Sequence, residues 1–258
     1  MHVFITGASS GIGRALAQRY ASQGATLGLV ARREESLNQL ASGLPGQHHV
    51  YALDVRDRPA LHAAAQDFIA AANGRVDVVV ANAGISQGTL TDQPEDFAAF
   101  QAIFDTNVLA MVATFEPFVA PMRAVGQGAL VGIASVAGIR GLPGAAGYCA
   151  SKAAAISYCE SLRNELAGDG IRVVSLLPGY IRTPMTDGNP FPMPFLMSPH
   201  RFARKAVNAI AAGRRQAVIP WQMAIAARLL RIVPVPLFDL FARRAPRKPR
   251  GAPTDGLP

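Results

Sequence analysis

The sequence predicts an α/β fold: a single domain on one doubly wound parallel sheet, with a basic amphipathic extension at its C-terminus. Three observations carry this prediction. Apolar runs of strand length alternate with Ala- and Leu-rich stretches of helix length, as a parallel sheet with crossover helices requires. Several of the runs are apolar throughout, as expected of strands covered on both faces. Half of the 258 residues are apolar and 16% are charged, which is ample for a buried core and unlike the composition of an unfolded chain.

Taken in order, the predicted strands are residues 2–6, 26–30, 49–53, 76–81, 129–134, 173–177 and 217–219. The helices between them are predicted at 14–22, 60–72, 97–122 and 150–166, and no internal repeat is present. Pro178, Pro184, Pro190, Pro192, Pro194 and Pro199 then crowd together with Phe191, Met193, Phe195, Leu196 and Met197. So many prolines exclude one regular helix, and segment 183–199 reads as a loop or broken lid. The domain is assigned to residues 1–220 and the extension to 221–258.

The two cysteines, Cys149 and Cys159, can form neither a disulfide framework nor a four-ligand zinc site. Met1-His2 leads directly into the first strand, with no basic segment, apolar run and cleavage site. A reducing, cytoplasmic setting is expected. His2, His48, His49, His62 and His200 fall in no metal-ligand pattern, and no metal site is expected.

The net charge of +8 is unevenly spread. Residues 1–200 hold 13 basic against 15 acidic residues, whereas 201–250 hold 12 against Asp239 alone. Residues 1–200 are near neutral, and the excess lies in the C-terminal stretch 201–250.

The first strand runs into Thr6-Gly7-Ala8-Ser9-Ser10-Gly11-Ile12-Gly13 and then into helix-forming Arg14-Ala15-Leu16-Ala17. Glycines at such a turn let backbone N–H groups approach a pyrophosphate at the positive end of the helix. Glycine also serves plain tight turns, but a strand before and a helix after are the context of a dinucleotide site. Eighteen residues beyond Gly13, where a carboxylate would bind the ribose of NAD, stands Ala31, followed by Arg32 and Arg33. Alanine cannot accept from a 2′-hydroxyl, whereas Arg32 and Arg33 can pair with a 2′-phosphate. NADP(H) is therefore the expected cofactor; the competing reading is two solvated arginines opening a helix at Glu34.

Tyr148 and Lys152 stand four residues apart, with Ser135 upstream at the end of a strand. On a helix this spacing points the phenol and the ammonium into one space. A phenol, titrating near ~10, is a poor base at pH 7 without a nearby positive charge. Lys152 supplies one and is the only lysine in the first 200 residues. The spacing also arises by chance, but the glycine turn upstream singles this pair out.

Together these residues resemble the short-chain dehydrogenase/reductase family, over residues 3–219. The turn from Thr6 to Gly13 resembles the family's cofactor turn, whose glycine spacing is one residue wider than in other Rossmann enzymes. Leu53-Asp54-Val55 resembles the segment that contacts the adenine, although Asp54 can equally be a plain turn residue. Asn82-Ala83-Gly84 resembles the motif closing the central strand; Ala81 stands where a further asparagine is common. Pro178-Gly179-Tyr180-Ile181-Arg182-Thr183 resembles the loop touching the nicotinamide, and Asn107, Ser135, Tyr148 and Lys152 match the family's catalytic set.

The resemblance implies a Rossmann fold and an NADP(H)-dependent oxidoreductase interconverting a carbonyl and a secondary alcohol. Tyr148 would exchange the proton, Ser135 polarise the substrate oxygen, Lys152 lower the tyrosine pKa and hold the ribose, and Asn107 position a water. Segment 191–197 lies where the family's variable substrate loop falls, which favours a bulky, largely apolar substrate over a sugar; the competing reading is simple packing of a proline-rich loop. The rival function is a non-catalytic NADP-binding regulator, which has no need of the complete catalytic set. Cys149 lacks a paired histidine and reads as packing.

In the extension, residues 221–233 form a predicted helix on which Arg228 and Arg231 lie within ~60° of each other among apolar residues. Arg228, Arg231 and two prolines leave no apolar run long enough to span a bilayer. The helix can cover the substrate pocket, lie in the interface of a homo-oligomer, or rest on anionic lipid with help from the five basic residues of 243–250. Nucleic acid is not an expected partner, because the basic run has no interleaved stacking aromatics.

Overall fold

The computed structural model describes residues 1–189, 191–245 and 247–250. Pro190 of the proline-rich segment, Pro246 of the basic run and the end of the extension, 251–258, lie outside the described residues.

Seven strands form one parallel sheet: β1 (His2–Thr6), β2 (Thr26–Ala31), β3 (His49–Ala52), β4 (Val78–Ala81), β5 (Gly128–Ile133), β6 (Ile171–Pro178) and β7 (Gln216–Ile219). Their order is β3-β2-β1-β4-β5-β6-β7. The predicted fold is therefore present, with strand ends shifted by at most two residues. From β1 the chain winds outward through β2 and β3, returns to β4 and winds outward the other way. A crevice opens where the order reverses, beyond the carboxyl ends of β1 and β4, and it is there that doubly wound sheets bind ligands.

Successive strand residues point to opposite faces, so β1 feeds two cores. Val3 and Ile5 join Leu16 of α1 (Gly11–Ala21), Leu37 of α2 (Glu34–Ser42) and Phe202 of α8 (Pro199–Ala211). Phe4 joins Phe68 of α3 (Arg58–Ala71), Phe118 and Met122 of α5 (Ala110–Val125) and Leu162 of α6 (Ala146–Glu165). Each such side chain contributes roughly 1.5–3 kcal/mol by leaving water.

Three local results differ from the sequence expectation. The helix expected at 97–122 is α4 (Asp96–Phe104) and α5, joined by one wide π-type turn, Asp105–Leu109. Such a turn absorbs an extra residue, and hydrophobic spacing does not reveal it because the composition is alike on both sides. By length and composition the combined run Asp96–Val125 could cross a membrane, but in this fold Phe115, Phe118 and Met122 are buried in the second core. Helix α6 starts at Ala146, ahead of the expected residue 150, and so takes in Tyr148. The proline-rich segment holds a short helix, α7 (Pro184–Asp187), and then returns to the body, where Met197 exchanges backbone hydrogen bonds with Tyr180 and Arg182 at 3.0 and 2.9 Å.

The extension forms α9 (Trp221–Ile232) and α10 (Val235–Ala242) and packs on the body. Arg140 donates to the carbonyls of Leu230 and Val233, each at 3.1 Å, and its guanidinium lies 4.1 Å from the centre of the Phe238 ring.

Candidate active site

The glycine turn is shaped by contact rather than by flexibility alone. Gly7 and Gly11 adopt positive φ, 65° and 52°, where a side chain is strained. A methyl group on Gly13 would overlap the Gly7 carbonyl, so only glycine lets α1 start this close to β1. Asn82 pins the turn from the end of β4: its side-chain amide donates to the carbonyls of Thr6 and Gly7 at 2.9 and 3.2 Å. The Thr6 hydroxyl oxygen accepts in return from the backbone of Asn82 and Ala83.

A cavity of about 380 Å³ opens at the reversal of strand order. Gly7, Ser10, Gly11 and Ile12 line it beside Asn82, Ala83 and Gly84. Arg32, Asp54 and Val55 line one end, and Ser135, Tyr148 and Lys152 line the wall formed by β5 and α6. Pro178, Gly179, Ile181 and Thr183 complete it from the loop after β6.

Five expected site residues are not in the lining. Thr6 and Ser9 are buried beneath the turn, and Gly13 acts through its close packing. Arg33 is exposed and opens α2, leaving Arg32 alone to face the cavity. Asn107 is buried, and its side chain is committed to protein partners. Its Oδ1 accepts from the Ile85 N–H at 2.8 Å, and its Nδ2 donates to the Ile85 carbonyl and the Ser151 hydroxyl, both at 3.0 Å. Ser151 in turn donates to the Tyr148 carbonyl at 2.8 Å. Asn107 thus braces the segment after β4 against α6, a role that its wide turn makes geometrically available.

Tyr148 and Lys152 lie one helical turn apart with the Lys152 Nζ 5.8 Å from the centre of the tyrosine ring. The ammonium donates to the Ile133 carbonyl at 2.8 Å, and burial brings it down to about 8. Burial also raises the Tyr148 phenol above its ordinary value, while the hydrogen bond with Ser135 works against that rise. At pH 7 the phenol is therefore neutral, the form that can give up a proton. Burial would likewise raise the Asp54 carboxyl, but hydrogen bonds from Arg56 outweigh it and hold the group below the usual carboxylate range.

The apolar run 191–197, on which the expectation of an apolar substrate rested, does not line the cavity. Its wall comes instead from the earlier half of the loop, with Met185 and Asn189. Met197 is buried in the first core, so packing accounts for part of that run. Residues that sequence reasoning missed include Ile85, Ser86 and Gln87, directly after a recognised motif, and Lys248, whose tail position gave no signal at all.

A profile of the family described as short chain dehydrogenase matches residues 1–190. The chain belongs to the short-chain dehydrogenase family. An uncharacterized oxidoreductase of Myxococcus xanthus is 39% identical over 245 residues, covering 93% of this chain and 95% of that protein. A 3-oxoacyl-[acyl-carrier-protein] reductase of Thermotoga maritima is 37% identical over 189 residues, covering 72% and 76% respectively. The solved structure of a 3-ketoacyl-(acyl-carrier-protein) reductase from Brucella melitensis, complexed with NADH, is similar at a TM-score of 0.75 and 27% identity, over 84% of this chain and 94% of that one.

As a short-chain dehydrogenase the chain is an oxidoreductase of the class that uses nicotinamide cofactors. Its residues fit such a cofactor. The glycine cradle is one that Cβ atoms would fill, and one cavity is lined by the glycine turn, Arg32, Tyr148 and Lys152 together.

Proposed function

We propose that this short-chain dehydrogenase interconverts a carbonyl and a secondary alcohol using NADP(H), with Tyr148 as the acid/base. The observation that carries this reading is the meeting of Ser135, Tyr148 and Lys152 on one wall of the cavity whose far end holds Arg32. When bound, the cofactor supplies or accepts a hydride. The chain's own residues do the rest. The glycine turn and the N-terminus of α1 hold the pyrophosphate, and Arg32 pairs with the 2′-phosphate. Lys152 holds the ribose, and Ser135 orients the substrate oxygen. Tyr148, kept neutral, gives its proton to that oxygen in reduction and takes it back in oxidation. Asn107 is a positioning residue that fixes α6 through Ser151. Oxidation of NADPH and of NADH by a panel of ketones tests the reading; no turnover of any ketone with either cofactor would leave the regulatory alternative standing.

We also propose that the enzyme is cytoplasmic and touches the inner face of an anionic membrane through α9 and α10. Trp221, Ile225, Leu229, Ile232, Leu240 and Phe241 are exposed there. Arg228, Arg231, Arg243 and Arg244, also exposed, are spread among them. Apolar side chains flanked by cations suit a surface of anionic headgroups.

A further inference from the structure

The end of the basic run turns back onto the protein, and Lys248 and Pro249 form part of the cavity wall. Arg250 anchors it, with Nε 2.8 Å from Asp96 Oδ2 and Nη2 2.8 Å from Glu95 Oε1. The Pro249 carbonyl accepts from the Gly88 N–H at 3.2 Å. Two glycines make room for the path. A methyl on Gly88 would fall 2.5 Å from the Lys248 carbonyl oxygen, and one on Gly144 would fall 2.9 Å from Arg247 Cβ.

Held this way, Lys248 reaches the reacting end of the site. Its Nζ donates to the Ser86 hydroxyl at 2.6 Å and lies 5.8 Å from the centre of the Tyr148 ring. Burial brings the ammonium down to about 8, so it is largely charged at pH 7. Among the described residues no carboxylate pairs with it. The one acid in the cavity lining, Asp54, is forked to Arg56 at the Arg32 end. A partly buried ammonium whose polar partner is a single hydroxyl is an incomplete site, because a desolvated charge is costly until an opposite charge meets it.

We propose that Lys248 is a substrate-binding residue, and that the substrate carries a carboxylate which pairs with this ammonium while its carbonyl or alcohol oxygen faces Tyr148. The proposal rests on the acid/base reading of Tyr148. It replaces a wholly apolar substrate with an oxo acid or hydroxy acid whose carbon chain lies against Ile85 and Met185. The tail is then a selectivity element built from the chain's own C-terminal region.

The test compares acetoacetate and levulinate with their methyl esters, using the full chain and its Lys248→Gln and Lys248→Arg variants. A charge-assisted hydrogen bond is worth roughly 1.5–3 kcal/mol, so the parent should favour acids over esters by about tenfold or more in kcat/KM. Lys248→Gln should bring that ratio near one, chiefly through KM for the acids, and Lys248→Arg should restore part of it. A parent that prefers the esters, or a ratio unmoved in Lys248→Gln, overturns the proposal. If none of the four compounds is turned over, calorimetry on the same proteins decides the pairing independently of the Tyr148 reading, which the ketone panel tests. Saturable binding of acetoacetate or levulinate that Lys248→Gln abolishes supports it; absent binding, or binding unchanged by the substitution, overturns it.

Discussion

Lys152 sits one helical turn beyond Tyr148, with its ammonium 5.8 Å from the tyrosine ring and fixed by the Ile133 carbonyl. The phenol therefore shares its face of α6 with a cation that cannot swing away. If this pair runs the proton transfer, Tyr148→Phe keeps the packing of the ring and removes only the hydroxyl. Turnover should fall by about 10²- to 10⁴-fold with cofactor affinity retained. Turnover within about threefold of the parent would remove Tyr148 from the acid/base role.

Arg32 faces the cavity and Arg33 does not. Arg32→Ala should therefore weaken NADPH binding by ~1.5–3 kcal/mol and leave NADH nearly unchanged. Arg33→Ala should affect neither by more than about 0.5 kcal/mol, as is usual for a surface change away from special features. Cofactor titrations followed by fluorescence read both effects. Equal affinity of the parent for NADH and NADPH would refute the 2′-phosphate contact.

Gly13 touches the Gly7 carbonyl so closely that a methyl group has no space. In most helices Gly→Ala is favourable, but Gly13→Ala should destabilise here by roughly 1–3 kcal/mol through overpacking. The shift of α1 should also open the cradle and weaken both cofactors. Thermal unfolding with and without cofactor measures this; a variant more stable than the parent would contradict the close-packing account.

Trp221 is the only tryptophan and stands exposed at the start of α9, which makes it a reporter for the proposed lipid contact. Its emission should shift to the blue on anionic vesicles and shift less as salt rises, because exposed charges are screened within ~8 Å at physiological ionic strength. Lys248 and Arg250 are engaged by the body, so of the five basic residues expected to anchor the tail Arg243, Arg244 and Arg247, all exposed, are left to meet lipid. No shift on any vesicle, together with a dimer in sedimentation, would assign the apolar face to a second copy of the chain.

By itself the sequence determined the seven strands, the glycine turn and the Ser135, Tyr148 and Lys152 wall. Each of these is encoded over a short span: an apolar run, a glycine spacing, a residue pair one turn apart on a helix. Only the tertiary structure decided that Arg32 and not Arg33 faces the cavity, that Asn107 is spent on Ile85 and Ser151, and that the loop's apolar half packs away from the site. The same holds for Lys248, which meets Ser86 from 162 positions away. No local pattern encodes that approach. It depends on two glycines clearing a path and on Arg250 finding Glu95 and Asp96, contacts between distant segments that exist only once the sheet has brought those segments together.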